Sequence, residues 1–249
     1  MAPPPGPFRR KLLAWYDRAA RDLPWRRTRD PYQVLVSEVM LQQTQVTRVQ
    51  EYYPRFLKRV PDVETLASAP ARAVREAWDG LGYYARARNL HALAKTVAGR
   101  SVAGSSVAGK GVAKLPEDPE ELIKLPGIGR YTAGAIASFA YEKPVPAVDT
   151  NVARVIRRVF FGERLIRQRR TLKRPTQERL IPQRAIWSVA AALVPKEGKR
   201  AWKFNQAIME LGALVCVART PKCGECPVRS GCKTGRRFKR EEGRGKRKG

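Results

Sequence analysis

Leu125-Pro126-Gly127-Ile128-Gly129-Arg130-Tyr131-Thr132-Ala133-Gly134-Ala135-Ile136 is the stretch that decides the fold of this chain. Its proline and first two glycines specify a tight turn, and the small and apolar residues after them specify a helix that opens directly out of it. Glycine lets the backbone approach a ligand closely, while the free N–H groups and the dipole at a helix start aim at an anion. Gly127 and Gly129 are therefore candidate phosphate-binding positions. An amphipathic stretch around Glu121 to Lys124 precedes the turn, so the whole reads as two helices joined by a binding hairpin.

Helical patterning continues on both sides. Phe8, Leu12, Leu13 and Tyr16 open one amphipathic segment, and residues 32–57 form one long or two abutting segments after Pro31. Further helical stretches are expected from about Ala71 to Trp78, Ala85 to Val97, Pro119 to Lys124, Tyr131 to Tyr141, Asn151 to Phe161, Ala185 to Leu193 and Trp202 to Cys216. No run alternates as a strand would, so the expected fold class is all-α. Val-Ala-Gly recurs at 97, 102 and 107, followed by Val-Ala-Lys at 112. Repeats of five residues are too short for a solenoid, and residues 100–114 read as a flexible surface insertion. The arginine-rich stretch 163–184 reads as a second one.

The chain has 249 residues, 43% of them hydrophobic, which is enough for a sizeable core. Its formal charge of +28 points to a polyanionic partner, with nucleic acid the default. Residues 233–249 carry nine Lys/Arg against two Glu, and residues 163–184 carry eight against two, yet the remainder is still strongly basic. Together with the hairpin, that charge makes DNA the expected ligand. The end of the chain, Gly-rich and nearly without apolar residues, reads as a disordered basic tail. A membrane span is not expected: the longest apolar stretch, Ala185 to Val194, falls far short of about 20 residues.

The chain's four cysteines, Cys216, Cys223, Cys226 and Cys232, form a C-x6-C-x2-C-x5-C array. No cysteine elsewhere could pair with them, and the N-terminus runs into Phe8, Arg9, Arg10 and Lys11 without an export signal. Cytosolic thiolates in a metal site are the natural reading. On spacing alone, a zinc ion and an iron–sulfur cluster both remain open.

Two carboxylates stand out. Glu38 has Val34, Leu35 and Leu41 as its helical neighbours, so its carboxyl would be partly desolvated, which favours the protonated form that a general acid needs. The alternative is an acid at the core edge paired with an arginine. Asp149 follows the apolar run Val145 to Val148 and precedes a helix, where an N-cap is the local reading. As a pair, carboxylates in different environments are the working parts of acid-assisted cleavage of a glycosidic bond. The single histidine, His91, argues against His-dependent nucleases, triads and zinc deaminases.

Leu23-Pro24-Trp25-Arg26, Ser37 to Gln45 (SEVMLQQTQ), Gly80 to His91 (GLGYYARARNLH), the hairpin at 125–136, Asp149-Thr150-Asn151-Val152 and the cysteine array together cover most of the chain. In these strings it resembles the MutY-type adenine DNA glycosylases of the helix-hairpin-helix superfamily, which includes endonuclease III. The resemblance implies a [4Fe–4S] cluster on the four cysteines. It implies that Glu38 protonates adenine at N7, that Asp149 stabilises an oxocarbenium-like sugar, and that Tyr131 and Asn151 support that pair. Arg21 and Arg26 match residues near the flipped adenine, while Gln43, Leu81 and Tyr83 match wedge residues that fill the gap left by the extruded nucleotide. For Leu81 and Tyr83 ordinary loop packing is the competing reading. Related lyases carry a lysine where this chain has Tyr131, and tyrosine cannot form their Schiff base, so a monofunctional enzyme is expected.

The implied architecture is two-lobed: a six-helix lobe over residues 28–142, a cluster lobe from residues 1–27 and 143–232, and a basic tail over 233–249. Double-stranded DNA carrying a mispaired adenine is the expected partner, bound across the cleft between the lobes by a monomer that is cytoplasmic and nucleoid-associated. Lys222, Arg219 and Arg229 are candidates for phosphate contact near the cluster. Full-length members continue into a Nudix-like domain that helps to recognise 8-oxoguanine, and the chain's end at Gly249 puts opposing-base discrimination in doubt. The runner-up is a thymine glycosylase acting on T·G mismatches, and a third reading is a non-catalytic iron–sulfur DNA-binding or redox module.

Overall fold

The structure, a computed structural model, describes residues 5–103, 114–162 and 181–236. Among these residues there is no β-strand, and the α-helices are α1 (Pro5–Ala19), α2 (Pro31–Leu41), α3 (Val46–Arg59), α4 (Val63–Ser68), α5 (Ala71–Ala77), α6 (Ala85–Ala103), α7 (Pro119–Leu122), α8 (Arg130–Phe139), α9 (Thr150–Ile156), α10 (Gln183–Leu193) and α11 (Gly198–Leu214). The protein is all-α. The chain divides into two compact units, one formed by Asp22–Lys143 and the other by Met1–Arg21 with Pro144–Gly249.

In the Asp22–Lys143 unit, α2 is the central helix. Asp30 caps it by accepting from the Gln33 amide at 2.8 Å, and Pro31 starts it where no N–H is needed. Residues 34–40 are all buried, because α2 packs against α3, α6 and α8. The amphipathic α3 buries Val49, Tyr53 and Phe56, and Phe56 meets Trp78 edge-on at 5.7 Å. Each fully buried side chain of that size contributes roughly 1.5–3 kcal/mol. The short α4 is capped by Asp62, which accepts from the Thr65 amide at 2.7 Å. It lies in a stretch that sequence patterning left unassigned.

The second unit is built on α11, against which α1 and α9 pack, while α10 packs on α1 and α9. Phe8 makes edge contacts with Phe160 at 5.3 Å and Phe204 at 6.4 Å, and Leu12, Phe204 and Leu211 are fully buried beside them. Arg9 secures the end of α10 by donating to the Leu193 and Ala192 carbonyls at 2.6 and 2.7 Å. After α9 the chain loosens into a π-helical turn, Arg157–Phe161, and stops at Gly162, whose φ of 73° is left-handed.

Of the two alternatives for residues 32–57, the structure has two helices, α2 and α3, because the chain breaks at Gln43, whose φ is 57°. Two expectations need adjustment. Helix α6 runs on through Ala103, past the start of the expected insertion, since a helix already anchored by burial propagates through one glycine at a cost of about 1 kcal/mol. Residues 233–236 form a helical turn rather than the start of a tail. The expected insertions at 104–113 and 163–180 and the tail from 237 lie outside the described residues.

Candidate active site

Glu38 sits in the buried α2 and is 4% exposed. Tyr131, in the first turn of α8, donates its hydroxyl to Glu38 Oε2 at 2.6 Å. The hairpin is what delivers this tyrosine. Gly127 turns the chain with a φ of 76°, and a side chain there would meet Asn89 of α6, 2.7 Å from its Cβ. Glycine is required at 127 on both counts. Gly129 is the N-cap of α8, and no side chain caps it.

Asp149 is the N-cap of α9, as local sequence suggested. Its Oδ1 accepts from the Val152 amide at 2.7 Å and its Oδ2 from Asn151 Nδ2 at 2.7 Å. Burial pushes the Asp149 carboxyl above the ordinary range for aspartate, and the Val152 amide, the Asn151 side chain and the charge of Arg154 pull back towards the ionised form. Arg154 extends the chain of bonds. It donates to Asn151 Oδ1 and to the Gly212 carbonyl, both at 2.7 Å, and to the Cys216 carbonyl at 2.8 Å.

The four cysteines are not in disulfides and line one cavity together with Arg158 and Lys222. Burial, reinforced by the other three thiols, pushes the Cys226 thiol up to about 12, and burial also raises Cys232. Donors aim at the sulfurs: Arg158 Nη1 lies 3.5 Å from Cys216 Sγ, and the Gly235 amide lies 3.3 Å from Cys232 Sγ. Arg158 also donates to the carbonyls of Val217 and Ala218 at 2.7 Å each, which fixes the loop after Cys216. Among the described residues no set of three or more His, Cys, Asp or Glu closes on a single metal ion. Four thiols that share one cavity, with hydrogen-bond donors aimed at two of the sulfurs, fit a thiolate-held metal group.

The remaining candidates are distributed unevenly. Arg21 is engaged by Glu210 of α11, a buried acid, donating to Oε1 and Oε2 at 2.8 Å each while its own amide also reaches Oε1 at 2.9 Å. Arg26 ends a short 3-10 turn, Pro24–Arg26. Gln43 and Tyr83 are exposed, Tyr83 to 63%, whereas Leu81 is 5% exposed and packs into its own unit. Of the expected wedge residues, Leu81 is thus the one this structure withholds from the surface. Lys222 and Arg219 are exposed and Arg229 is half-buried. Sequence reasoning passed over Arg86, Arg154 and Arg158. Arg154 carried a signal, being three residues from Asn151 on one helix face.

These features define an all-α protein with a four-thiol site and two separately prepared carboxylates. The chain belongs to the HhH-GPD superfamily of base excision DNA repair proteins, whose pattern it matches over residues 36–179, and residues 216–232 match the iron–sulfur binding domain of endonuclease III. The four cysteines therefore form a [4Fe–4S] site. An adenine DNA glycosylase of Homo sapiens is 42% identical over 244 residues, covering 94% of this chain and 40% of that protein. One of Mycobacterium tuberculosis is 44% identical over 218 residues, covering 87% of this chain and 64% of that protein. The chain thus spans two-fifths to two-thirds of these relatives. A thermostable thymine-DNA glycosylase matches with a TM-score of 0.76 and 29% identity, covering 92% of this chain and 95% of that one. Endonuclease III in a trapped covalent DNA intermediate matches with a TM-score of 0.69 and 22% identity, covering 92% of this chain and 94% of that one, which bears on the fold alone.

Proposed function

We propose that the chain is a monofunctional adenine DNA glycosylase, hydrolysing the N-glycosidic bond of adenine mispaired with 8-oxoguanine or guanine. The observation that carries this reading is the hydroxyl of Tyr131 on the carboxyl of Glu38 at 2.6 Å, at the hairpin position where a lyase would present an amine. The adenine glycosylases at 42–44% identity support it.

In this reading the protein acts as a monomer on double-stranded DNA, in the cytoplasm with the nucleoid. Among the described residues no helix is long and apolar enough to cross a membrane. The amides at the start of α8 and the surrounding positive charge hold the backbone. Glu38 gives its proton to N7 of an extruded adenine, the bond between the base and the sugar C1′ breaks, and the electron pair leaves with the base. Asp149, oriented by Asn151, carries the negative charge that stabilises the oxocarbenium-like sugar until water adds to C1′ and gives up a proton, which restores the acid form of Glu38. Adenine and an abasic site are the products. The cluster, held by Cys216, Cys223, Cys226 and Cys232, would order the loop that presents Lys222, Arg219 and Arg229 to phosphate.

Likeness to the thymine-DNA glycosylase, which this chain matches almost end to end, favours thymine excision from T·G as the second reading. Single-turnover base release on duplexes carrying A·8-oxoguanine, A·G or T·G, with and without alkali, separates the two. Alkali-dependent breaks at adenine, absent in Glu38→Gln, are expected. Breaks at thymine promote the second reading, and a stoichiometric borohydride-trapped adduct refutes the monofunctional assignment.

A further inference from the structure

Two loops of the Asp22–Lys143 unit present Gln43 and Tyr83, and one guanidinium holds both. Residues 42–45 leave α2 and residues 80–84 enter α6. Gln43 and Tyr83 have φ of 57° and 48°, in the left-handed region, although neither is glycine. Such strain persists only where the surroundings over-determine it, and it gathers at functional sites.

The over-determination comes from Arg86, which is buried at the start of α6. Its Nη1 donates to the carbonyls of Val39, Met40 and Gln42 at 3.0, 2.7 and 2.6 Å, satisfying groups that the end of α2 leaves open. Nη2 donates to the carbonyls of Leu81 and Gly82 at 3.1 and 3.2 Å. The cation also lies over two rings, 5.4 Å from the centroid of Trp78 and 5.6 Å from that of Tyr83. All five of these acceptors are backbone carbonyls, two in the last turn of α2, one in the loop that leaves it and two in the loop that enters α6. A lysine, with a single compact head, could not bridge both sets. Val39 and Met40 directly follow Glu38, so the same guanidinium fixes the end of the helix that carries the acid.

We propose that Arg86 is a positioning residue that locks the Gln43 and Tyr83 loops to each other and to α2, so that the two exposed side chains meet a duplex as one rigid wedge in fixed register with Glu38. What the wedge touches rests on the glycosylase reading. The clamp itself is a property of the unit and can be tested without it.

Amide hydrogen exchange on free Arg86→Lys protein tests the clamp. Exchange at residues 42–45 and 80–84 is expected to rise together, with the hairpin at 125–131 unchanged. On an A·8-oxoguanine duplex, single-turnover base release is expected to fall on the order of 100-fold, the scale of an ångström-level misplacement. In a Gln43→Ala/Tyr83→Ala background the same substitution should cost less than it does in the wild type, because only the end of α2 is left to position. Unchanged exchange, or an additive loss in that background, overturns the proposal. If the wild type releases no base from any duplex, the glycosylase reading is what fails, and the exchange result alone decides the clamp. Should Arg86→Lys not fold, Arg86→Gln, whose single amide cannot reach both sets of carbonyls, is expected to raise exchange at 42–45 and 80–84 together, and no rise there overturns the proposal.

Discussion

Replacing Gly212 by alanine would place a methyl carbon 2.7 Å from Asn151 Cβ, 3.0 Å from its carbonyl oxygen and 3.1 Å from its carbonyl carbon. Carbon–carbon contact begins near 3.5 Å, so α11 and the start of α9 would have to part by about 0.8 Å. Backbone atoms are among those met, so no rotamer change relieves the clash. The push falls on Asn151, which donates to Asp149 at 2.7 Å and accepts from Arg154, the side chain that also holds the Gly212 carbonyl. Two terms oppose each other in stability: alanine gains about 1 kcal/mol over glycine in a helix interior, and overpacking costs about 1–3 kcal/mol. A net loss of roughly 0–2 kcal/mol follows, small enough to leave the protein folded. The rate should suffer more, since misplacing a reacting group by about 1 Å costs on the order of 100-fold. Thermal unfolding beside single-turnover base release on an A·8-oxoguanine duplex measures both. A wild-type rate, or a raised Tm with full activity, would show that Asn151 does not set the position of Asp149.

Other outcomes follow from the same geometry. Tyr131→Phe removes a donor to a carboxyl, an interaction of about 1.5–3 kcal/mol, and should slow base release roughly 10–100-fold at unchanged DNA affinity; a full rate means that Glu38 needs no such support. Cys223→Ser should lose the visible absorbance of the cluster and with it DNA affinity or the fold, and an iron-free protein with full activity would contradict the role given to the loop. Asp149 has a raised folded-state pKa, so its contribution to stability is present below the ordinary value of 3.8 and is lost as pH rises through the folded value. Asp149→Asn, which can still cap α9, should therefore raise Tm at neutral pH, with the gain vanishing towards pH 3; a pH-independent difference would exclude titration as its cause. Affinity for duplex DNA should fall about 1,000-fold between 50 and 200 mM salt, and a shallow dependence would argue against phosphate as the main anchor.

What the sequence disclosed was carried by contiguous strings. The hairpin was legible because Gly127, Gly129 and the residues after them fix local backbone geometry without outside help, and the cysteine array because its ligands lie within one loop. Glu38 was legible in part. Helical spacing put it on a buried face, but only the fold brings Tyr131, 93 residues away, onto its carboxyl. Leu81 was ambiguous between wedge and packing, since the two demand the same apolar residue and differ only in whether the chain turns it inward. Helix α4 escaped notice because its six residues hold too few turns for a period to show.

The ties that matter most for the site were the least legible, for a common physical reason. Arg86, Arg154 and Arg158 act on backbone carbonyls, which every residue possesses, so their partners leave no mark in the residue types. Arg154 and the Cys216 carbonyl are 62 residues apart, and nothing about a cysteine announces that its carbonyl accepts from an arginine. These long-range bonds all converge on segments that end a helix or begin a loop, where carbonyls are left without intrahelical partners. In a basic protein, an arginine that is buried while its neighbours are exposed is therefore the residue to examine for what it holds. In the proposed reading surface arginines answer to the phosphate; Arg86 and Arg158, at 8% and 5% exposure, hold loop carbonyls instead.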